Sequence, residues 1–91
     1  MYAHVVAAHA KAEGFEDLTR FVWEHLPEIP QQPGFRGFYL LRDPDSDKLM
    51  TISLWETKED LDASVTRAGQ GAPAAAIAEP RTDTYEVTLS A

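Results

Sequence analysis

Apolar residues recur with two different spacings along this chain, and the changes of spacing divide it into six segments. Short apolar or alternating runs, typical of strands, cover residues 2–8, 35–42, 49–56 and 82–89. Apolar positions three and four residues apart run from Phe15 to about Leu26, and again from Leu61 to Ala68. That spacing predicts two amphipathic helices, so the expected order is β-α-β-β-α-β.

Turn and capping residues mark the boundaries between these segments. Asp43-Pro-Asp-Ser-Asp-Lys48 lies between two strand patterns and predicts an antiparallel hairpin. Thr57 and Asp60 resemble a capping box at the start of the second helix, and Gly69 is a plausible residue for its end. Residues 70–80 are rich in Ala, Gly and Pro and fit either a loop or one weak helical turn.

This order of elements predicts a ferredoxin-like α+β domain. Such a domain has a four-stranded antiparallel sheet, both helices on one face, and the first and third strands at the centre. We expect residues 1–91 to form one domain of this kind.

Alternation along the predicted strands assigns the side chains to two faces. We expect the helices to cover the more apolar set: Ala3, Val5, Ala7, Phe38, Leu40, Ile52, Leu54, Tyr85, Val87 and Leu89. The opposite set is mixed: Tyr2, His4, Val6, Tyr39, Leu41, Thr51, Ser53, Trp55, Thr84, Glu86 and Thr88. Left exposed, its aromatic and aliphatic members would form an apolar patch larger than monomers usually carry. We therefore expect this second face to meet another molecule or to line a cavity.

Composition excludes several classes of partner. The net charge of −7 repels nucleic-acid phosphates and anionic membrane surfaces. Without cysteine there are no disulfides and no thiolate nucleophiles or metal ligands. The N-terminal stretch lacks the basic region of a signal peptide and no long apolar run is present, so a cytoplasmic location is the default expectation.

A metal site is not expected either. Asp43, Asp45 and Asp47 imitate the start of a calcium-binding loop, but Lys48 and Leu54 replace its required Gly and Glu. The three histidines also lack the spacing of a metal site.

Two stretches carry a family resemblance. They read Q-Q-P-G-F-R-G-F-Y-L-L-R-D at 31–43 and L-M-T-I-S-L-W-E-T-K-E-D-L at 49–61, with Trp55-Glu56 at the end of the third strand as the most specific element. Together with the order of elements they resemble the antibiotic biosynthesis monooxygenase family. The resemblance implies a homodimeric α+β barrel, in which two sheets pack face to face with the helices outside.

Two kinds of chemistry are implied by the resemblance. Some family members are oxygenases without a cofactor that convert aromatic polyketides to quinones, and others degrade haem. Trp55 matches a tryptophan beside the pocket in both kinds, whereas Thr51 stands where the quinone-forming members have Asn. The haem degraders carry an Asn on the first strand and a His on the second helix. This chain has His4 near the first position and no histidine between residues 57 and 69.

Five residues are candidates for a site, each with an ordinary structural alternative. His4 is the candidate general base, because imidazole titrates near neutral pH, although strand histidines are often packing residues. Trp55 could stack on an aromatic substrate and donate its indole N–H, or seal the end of the sheet. Tyr39, Thr51 and Tyr85 are candidate substrate-binding residues, although tyrosine is also common in strands for packing. Glu86 could orient His4 if the two are neighbours.

Three functions follow from these residues. The first is a monooxygenase without a cofactor or metal that acts on a small or polycyclic aromatic. The second, of a different class, is a non-catalytic dimeric module that binds a small hydrophobic metabolite. A haem-degrading oxygenase comes third, since two of its marks are absent.

Overall fold

The computed structural model describes residues 1–68 and 78–91. The elements are β1 (Tyr2–His9), α1 (Ala12–His25), a 3-10 turn (Ile29–Gln31), β2 (Phe35–Arg42), β3 (Lys48–Trp55), α2 (Lys58–Ala68) and β4 (Ala78–Glu86). The predicted β-α-β-β-α-β order is confirmed. The expectations for Gly69 and for residues 70–77 lie outside the described residues.

One antiparallel sheet holds all four of these strands in the order β2-β3-β1-β4. The first and third strands are therefore central, as the ferredoxin-like topology requires. The predicted hairpin joins β2 to β3, and Asp43 Oδ1 closes its turn by accepting the N–H of Asp45 at 2.9 Å. Neither α1 nor α2 is both long and apolar enough to cross a membrane.

The last strand lies earlier in the chain than the alternation predicted. It spans Ala78–Glu86, not 82–89, because its pairing with β1 ends at Tyr2↔Glu86. The N–H of Val87 still donates to the carbonyl of Met1 at 2.9 Å, but Leu89 is 88% exposed. Pro80 is tolerated within the strand because β4 is an edge strand and the pairing is irregular there.

A bulge near the start of β2 changes which of its side chains share a face with β3. Phe35 pairs with Trp55, and Gly37 pairs with the very next residue of β3, Leu54, so Arg36 is an extra residue. Directly opposed residues carry their side chains on the same face of the sheet. The prediction for β2 was therefore wrong: Phe38 and Leu40 lie with Ser53 and Thr51, not with Ile52 and Leu54.

The two faces are defined by this register. The helix-covered face consists of Tyr2, His4, Val6, Ala8, Phe35, Phe38, Leu40, Arg42, Leu49, Thr51, Ser53, Trp55, Thr82, Thr84 and Glu86. The open face consists of three rows across the sheet: Leu41-Met50-Ala7-Arg81, Tyr39-Ile52-Val5-Asp83 and Gly37-Leu54-Ala3-Tyr85.

Two interactions and the burial of two residues show that the helices cover the face with more polar residues. The guanidinium carbon of Arg42 lies 4.9 Å from the centre of the Phe15 ring on α1. The negative charge of Asp62 on α2 acts to raise the pKa of His4. Trp55 and Leu49 are only 2% and 5% exposed. The predicted choice of helix-facing side was therefore wrong. Both faces carry enough apolar surface to accept a helix, so their composition alone does not predict which one the helices cover.

The start of α2 lies close to the turn before β2. Thr57 Oγ1 accepts the N–H of Asp60 at 3.1 Å and donates to its carboxylate at 2.9 Å, which is a variant of the predicted capping box. Gly34 has φ +75°, and a Cβ there would collide with the Asp60 carboxylate. Glycine at this turn is therefore required both by the backbone and by the approach of α2.

Candidate active site

The candidate site lies at the centre of the helix-covered face, where β1 and β3 pair. His4 is directly opposite Ser53, and Thr51 and Trp55 flank Ser53 two residues away on the same strand. Because side chains alternate along a strand, these three β3 residues point to the same side as His4. The structure thus brings together three of the five predicted site residues, namely His4, Thr51 and Trp55.

The imidazole of His4 has an unusual environment for a strand residue. Its Nδ1 is buried, and no group in the described parts of the chain forms a hydrogen bond with it. Burial lowers the pKa of His4, and the negative charge of Asp62 opposes this only in part. The ring is therefore neutral at neutral pH, as a general base must be.

Glu86 is not the neighbour that would orient this ring. The residue opposite His4 on β4 is Thr84, while Glu86 pairs with Tyr2 and is exposed. The carboxylate whose charge acts on His4 comes from α2 instead.

Trp55 is a buried core residue and does not line an open cavity. Its side chain is 2% exposed, and its ring meets Phe35 edge to face with the centres 5.7 Å apart. The indole N–H donates to Ser53 Oγ at 2.9 Å. Because this donor already has an acceptor within the protein, the predicted donation from Trp55 to a ligand would require that bond to break.

Ser53 is the residue that the prediction missed as a site residue. It accepts from Trp55, faces His4 across the strand pair, and remains partly exposed. The signal was present in the sequence, because a serine two residues before a strand tryptophan shares its face and lies within reach of its indole.

Tyr39 and Tyr85 are not part of this cluster. Both lie on the open face, on the two edge strands β2 and β4, and each is 56% exposed. They therefore cannot contact the same ligand as His4 from within one chain, since the sheet lies between them.

Two surface cavities lie at the other end of the sheet from Trp55. A groove of about 600 Å³ is bounded by the ends of β1 and β2 and the start of β3, with Leu41, Met50 and Arg81 among its walls. A smaller cavity of about 230 Å³ lies beside Phe15 and Asp47. Neither is lined by His4 or Trp55.

The described side chains offer no cluster of three or more His, Asp or Glu residues that could hold a metal ion. The aspartates of the β2–β3 turn have other partners. Asp43 accepts the N–H of Asp45, and Asp47 bonds to Nδ1 of His9 at 2.9 Å.

Comparison with solved structures shows the same fold in proteins of different activity. The heme-degrader MhuD from Mycobacterium tuberculosis, solved with two hemes in its active site, is 18% identical, with a TM-score of 0.76 and coverage of 100% of this chain and 99% of that one. SnoaB, a cofactor-independent oxygenase from Streptomyces nogalater solved as a mutant, is 19% identical, with a TM-score of 0.74 and coverage of 98% and 94%. A Nitrosomonas europaea protein provisionally assigned as an antibiotic biosynthesis monooxygenase is 20% identical, with a TM-score of 0.77 and coverage of 98% and 100%.

These identities establish the fold and leave the reaction open, because one fold hosts several activities. A comparison with proteins of curated function gave no match. The family model described as antibiotic biosynthesis monooxygenase matches residues 1–73, which is most of the chain and includes His4, Thr51, Ser53 and Trp55. The chain therefore belongs to the antibiotic biosynthesis monooxygenase family.

Proposed function

We propose that this protein is a cofactor-independent monooxygenase that acts on a small or polycyclic phenolic aromatic. The observation that carries the proposal is the buried, unpartnered Nδ1 of His4 on the helix-covered face. A buried polar atom without a partner costs about 1–3 kcal/mol, so a ligand that supplies the partner is favoured at this position. A phenolic hydroxyl or an acidic ring CH₂ group is a partner of the right kind.

In the proposed reaction His4 acts as the general base. It takes a proton from the substrate, and the electron-rich anion that remains reduces dioxygen directly. For an anthrone in its phenolic enol form, His4 takes the hydroxyl proton, and the reacting ring C–H and O₂ become a carbonyl group and one water molecule. The substrate supplies all four electrons, and the proton held by His4 leaves with the water. The neutral state of His4 at neutral pH, set by its burial, is the state that this step requires.

The neighbouring residues have supporting roles in this proposal. Thr51 places a second hydroxyl on the same face, two residues from Ser53. Trp55 and Phe35 form the packed end of the site and hold the strand ends in place. Thr51 stands where the resemblance places an amide side chain, so any bond to the substrate here is made by a hydroxyl.

Oxygen uptake with an anthrone as substrate tests the proposal. We expect wild-type protein to exceed the spontaneous rate, and His4→Gln to lower the protein-dependent rate by about 10²–10⁴-fold, the usual contribution of a general base. His9→Gln is the matched control, because His9 is on the same strand about 16 Å further along and pairs with Asp47. The variant should retain the wild-type rate.

Three other results would contradict the proposal. Uptake at the spontaneous rate together with saturable anthrone binding would support the non-catalytic binding module. A Soret band with hemin that decays when reductant is added would support haem degradation. Equal loss of activity in His4→Gln and His9→Gln would remove His4 from the chemistry.

The open face supports the proposal that two copies pair to form the functional unit. Tyr39, Leu41 and Tyr85 are 45–56% exposed there, beside the apolar side chains of Val5 and Ile52. Neither α1 nor α2 lies on that side, and a patch of this kind usually meets a partner. The three rows of the open face would pack against the same rows of a second copy, as the family resemblance implies.

A further inference from the structure

Ser53 is hydrogen-bonded to one polar side chain and faces another across the strand pair. Its Oγ accepts the indole N–H of Trp55 at 2.9 Å, a normal hydrogen-bond length. The residue directly across the strand pair is His4, and opposed side chains of this kind have Cβ atoms about 4.5–5.5 Å apart. The serine hydroxyl thus lies between a buried donor and a candidate base.

The hydroxyl proton of Ser53 takes no part in a hydrogen bond among the described residues. A serine hydroxyl has one donor and two acceptor positions, and Trp55 occupies one acceptor position. Within residues 1–68 and 78–91, no acceptor for the Ser53 proton is found, and His4 Nδ1 also has no partner. Donation from the indole polarises the hydroxyl and makes it a stronger donor.

We propose that Ser53 and His4 together recognise a free hydroxyl group on the aromatic substrate. Ser53 Oγ–H donates to the substrate oxygen, and Nδ1 of His4, in the tautomer with the proton on Nε2, accepts the proton of that same oxygen. A hydroxyl oxygen both accepts and donates in this way. A methyl ether satisfies only Ser53 and leaves His4 unpartnered, so it is disfavoured.

This assignment rests on the proposed function and changes the role of Trp55 within it. Trp55 is 2% exposed and reaches a substrate only through the hydroxyl that it orients, which makes it a positioning residue. Ser53 becomes the hydrogen-bond donor to the anion that forms when His4 takes the proton. A donor held in place before the reaction stabilises that charge without reorganisation.

Binding of 2-naphthol and of 2-methoxynaphthalene, measured by NMR titration, tests the inference without turnover. We expect wild-type protein to bind the naphthol about tenfold more tightly, the effect of about one hydrogen bond. Ser53→Ala should weaken binding of both compounds by about tenfold, because both accept from Ser53, and Ser53→Thr, which keeps the hydroxyl, should restore it. His4→Phe, which removes the acceptor, should reduce the preference for the naphthol to twofold or less. Ser90→Ala is the control, since Ser90 is exposed and follows the last strand.

The indole N–H signal of Trp55 gives a second readout that needs no variant. It should shift when the naphthol or its methyl ether binds, because the Ser53 hydroxyl to which it donates then has a new partner, and shift much less with naphthalene, which has no oxygen. An equal shift with naphthalene, unchanged affinities in folded Ser53→Ala, or an unchanged preference in folded His4→Phe would overturn the assignment. Preference for the hydroxyl without any oxygen uptake would remove only the oxygenase proposal, and uptake with unchanged affinities in Ser53→Ala would remove only the role of Ser53.

Discussion

The two faces of the sheet are made by the same four strands and differ in both composition and cover. The helix-covered face carries His4, Thr51 and Ser53 among its apolar residues, and α1 and α2 shield it. The open face is almost wholly apolar apart from Arg81 and Asp83 on the edge strand β4, and no element of the described chain covers it.

This distribution is the reverse of the usual expectation that a domain covers its most apolar surface with its own helices. Here the chain shields the face that holds polar groups, where excluding water strengthens hydrogen bonds and shifts a pKa. The more uniform apolar face is not covered by α1 or α2. In the proposed function the reaction takes place on the covered face, and the open face pairs with a second copy.

Substitution at the centre of the open face should have the largest effect, and it should act on self-association. Ile52 lies in the middle row, between Tyr39 and Val5. Ile52→Lys would place an unpaired ammonium group in each half of a two-fold interface, which costs several kcal/mol. We expect self-association, measured by sedimentation equilibrium, to weaken by more than about 100-fold.

Leu89→Lys is the matched control, because Leu89 is 88% exposed and follows the last strand. It should leave association unchanged. A wild-type protein that sediments as a folded single subunit at micromolar concentration, or an Ile52→Lys variant that still pairs, would show that the open face is not the interface.

Two leucines, one on each face, should give effects of intermediate size on the free energy of unfolding. Leu49 on the helix-covered face is 5% exposed, and Leu41 on the open face is 45% exposed. We expect Leu49→Ala to lower the free energy of unfolding by about 3 kcal/mol at any protein concentration, as is typical of a buried leucine.

Leu41→Ala should cost less than about 1 kcal/mol at low protein concentration and more at high concentration, where pairing of subunits contributes to stability. Urea unfolding at two protein concentrations measures both variants. An equal and concentration-independent loss in the two would contradict the separate roles of the faces.

The smallest expected effect is a dependence of stability on pH that originates at His4. Burial lowers the pKa of His4 in the folded protein below the ordinary histidine value of about 6.5. The unfolded chain therefore binds the proton more readily. The stability contributed by the neutral ring is complete above about pH 6.5 and is lost as the pH falls through the folded-state pKa.

Thermal unfolding between pH 5 and pH 7.5 should show this slope in wild-type protein and in His9→Gln. His4→Gln should reduce it, because the titrating group is gone. An unchanged slope in His4→Gln would mean that other groups cause the dependence, and an NMR titration of the His4 ring would then show a pKa that is not lowered.

The order of elements could be predicted from the sequence because each segment has its own periodicity and its own boundary residues. The antiparallel hairpin was set by the turn between Asp43 and Lys48, and β2 was predicted with its observed bounds of Phe35–Arg42. The family could also be identified, since the Trp55-Glu56 end of β3 lies within the matched region.

The faces could not be assigned because they depend on which residues of neighbouring strands pair. The periodicity of one strand carries no information about that pairing. One extra residue at Arg36 reverses the alternation of β2, and Gly37 was the only local signal of it, since glycine within a strand often marks a bulge. The bounds of β4 were missed for a related reason: its pairing with β1 ends at Tyr2. The partner of the Trp55 indole likewise appears only when side chains on one face are considered together.

The bulge at Arg36 has a practical consequence for anyone who compares members of this family by sequence. Arg36 is fixed there by a 2.8 Å ion pair with Glu56, just past the end of β3. If a relative lacks this one residue, an alignment without a gap from Phe35 matches each later side chain of β2 with one on the opposite face of the sheet. Alignments should therefore allow a single gap between Phe35 and Gly37 before any side chain of β2 is compared.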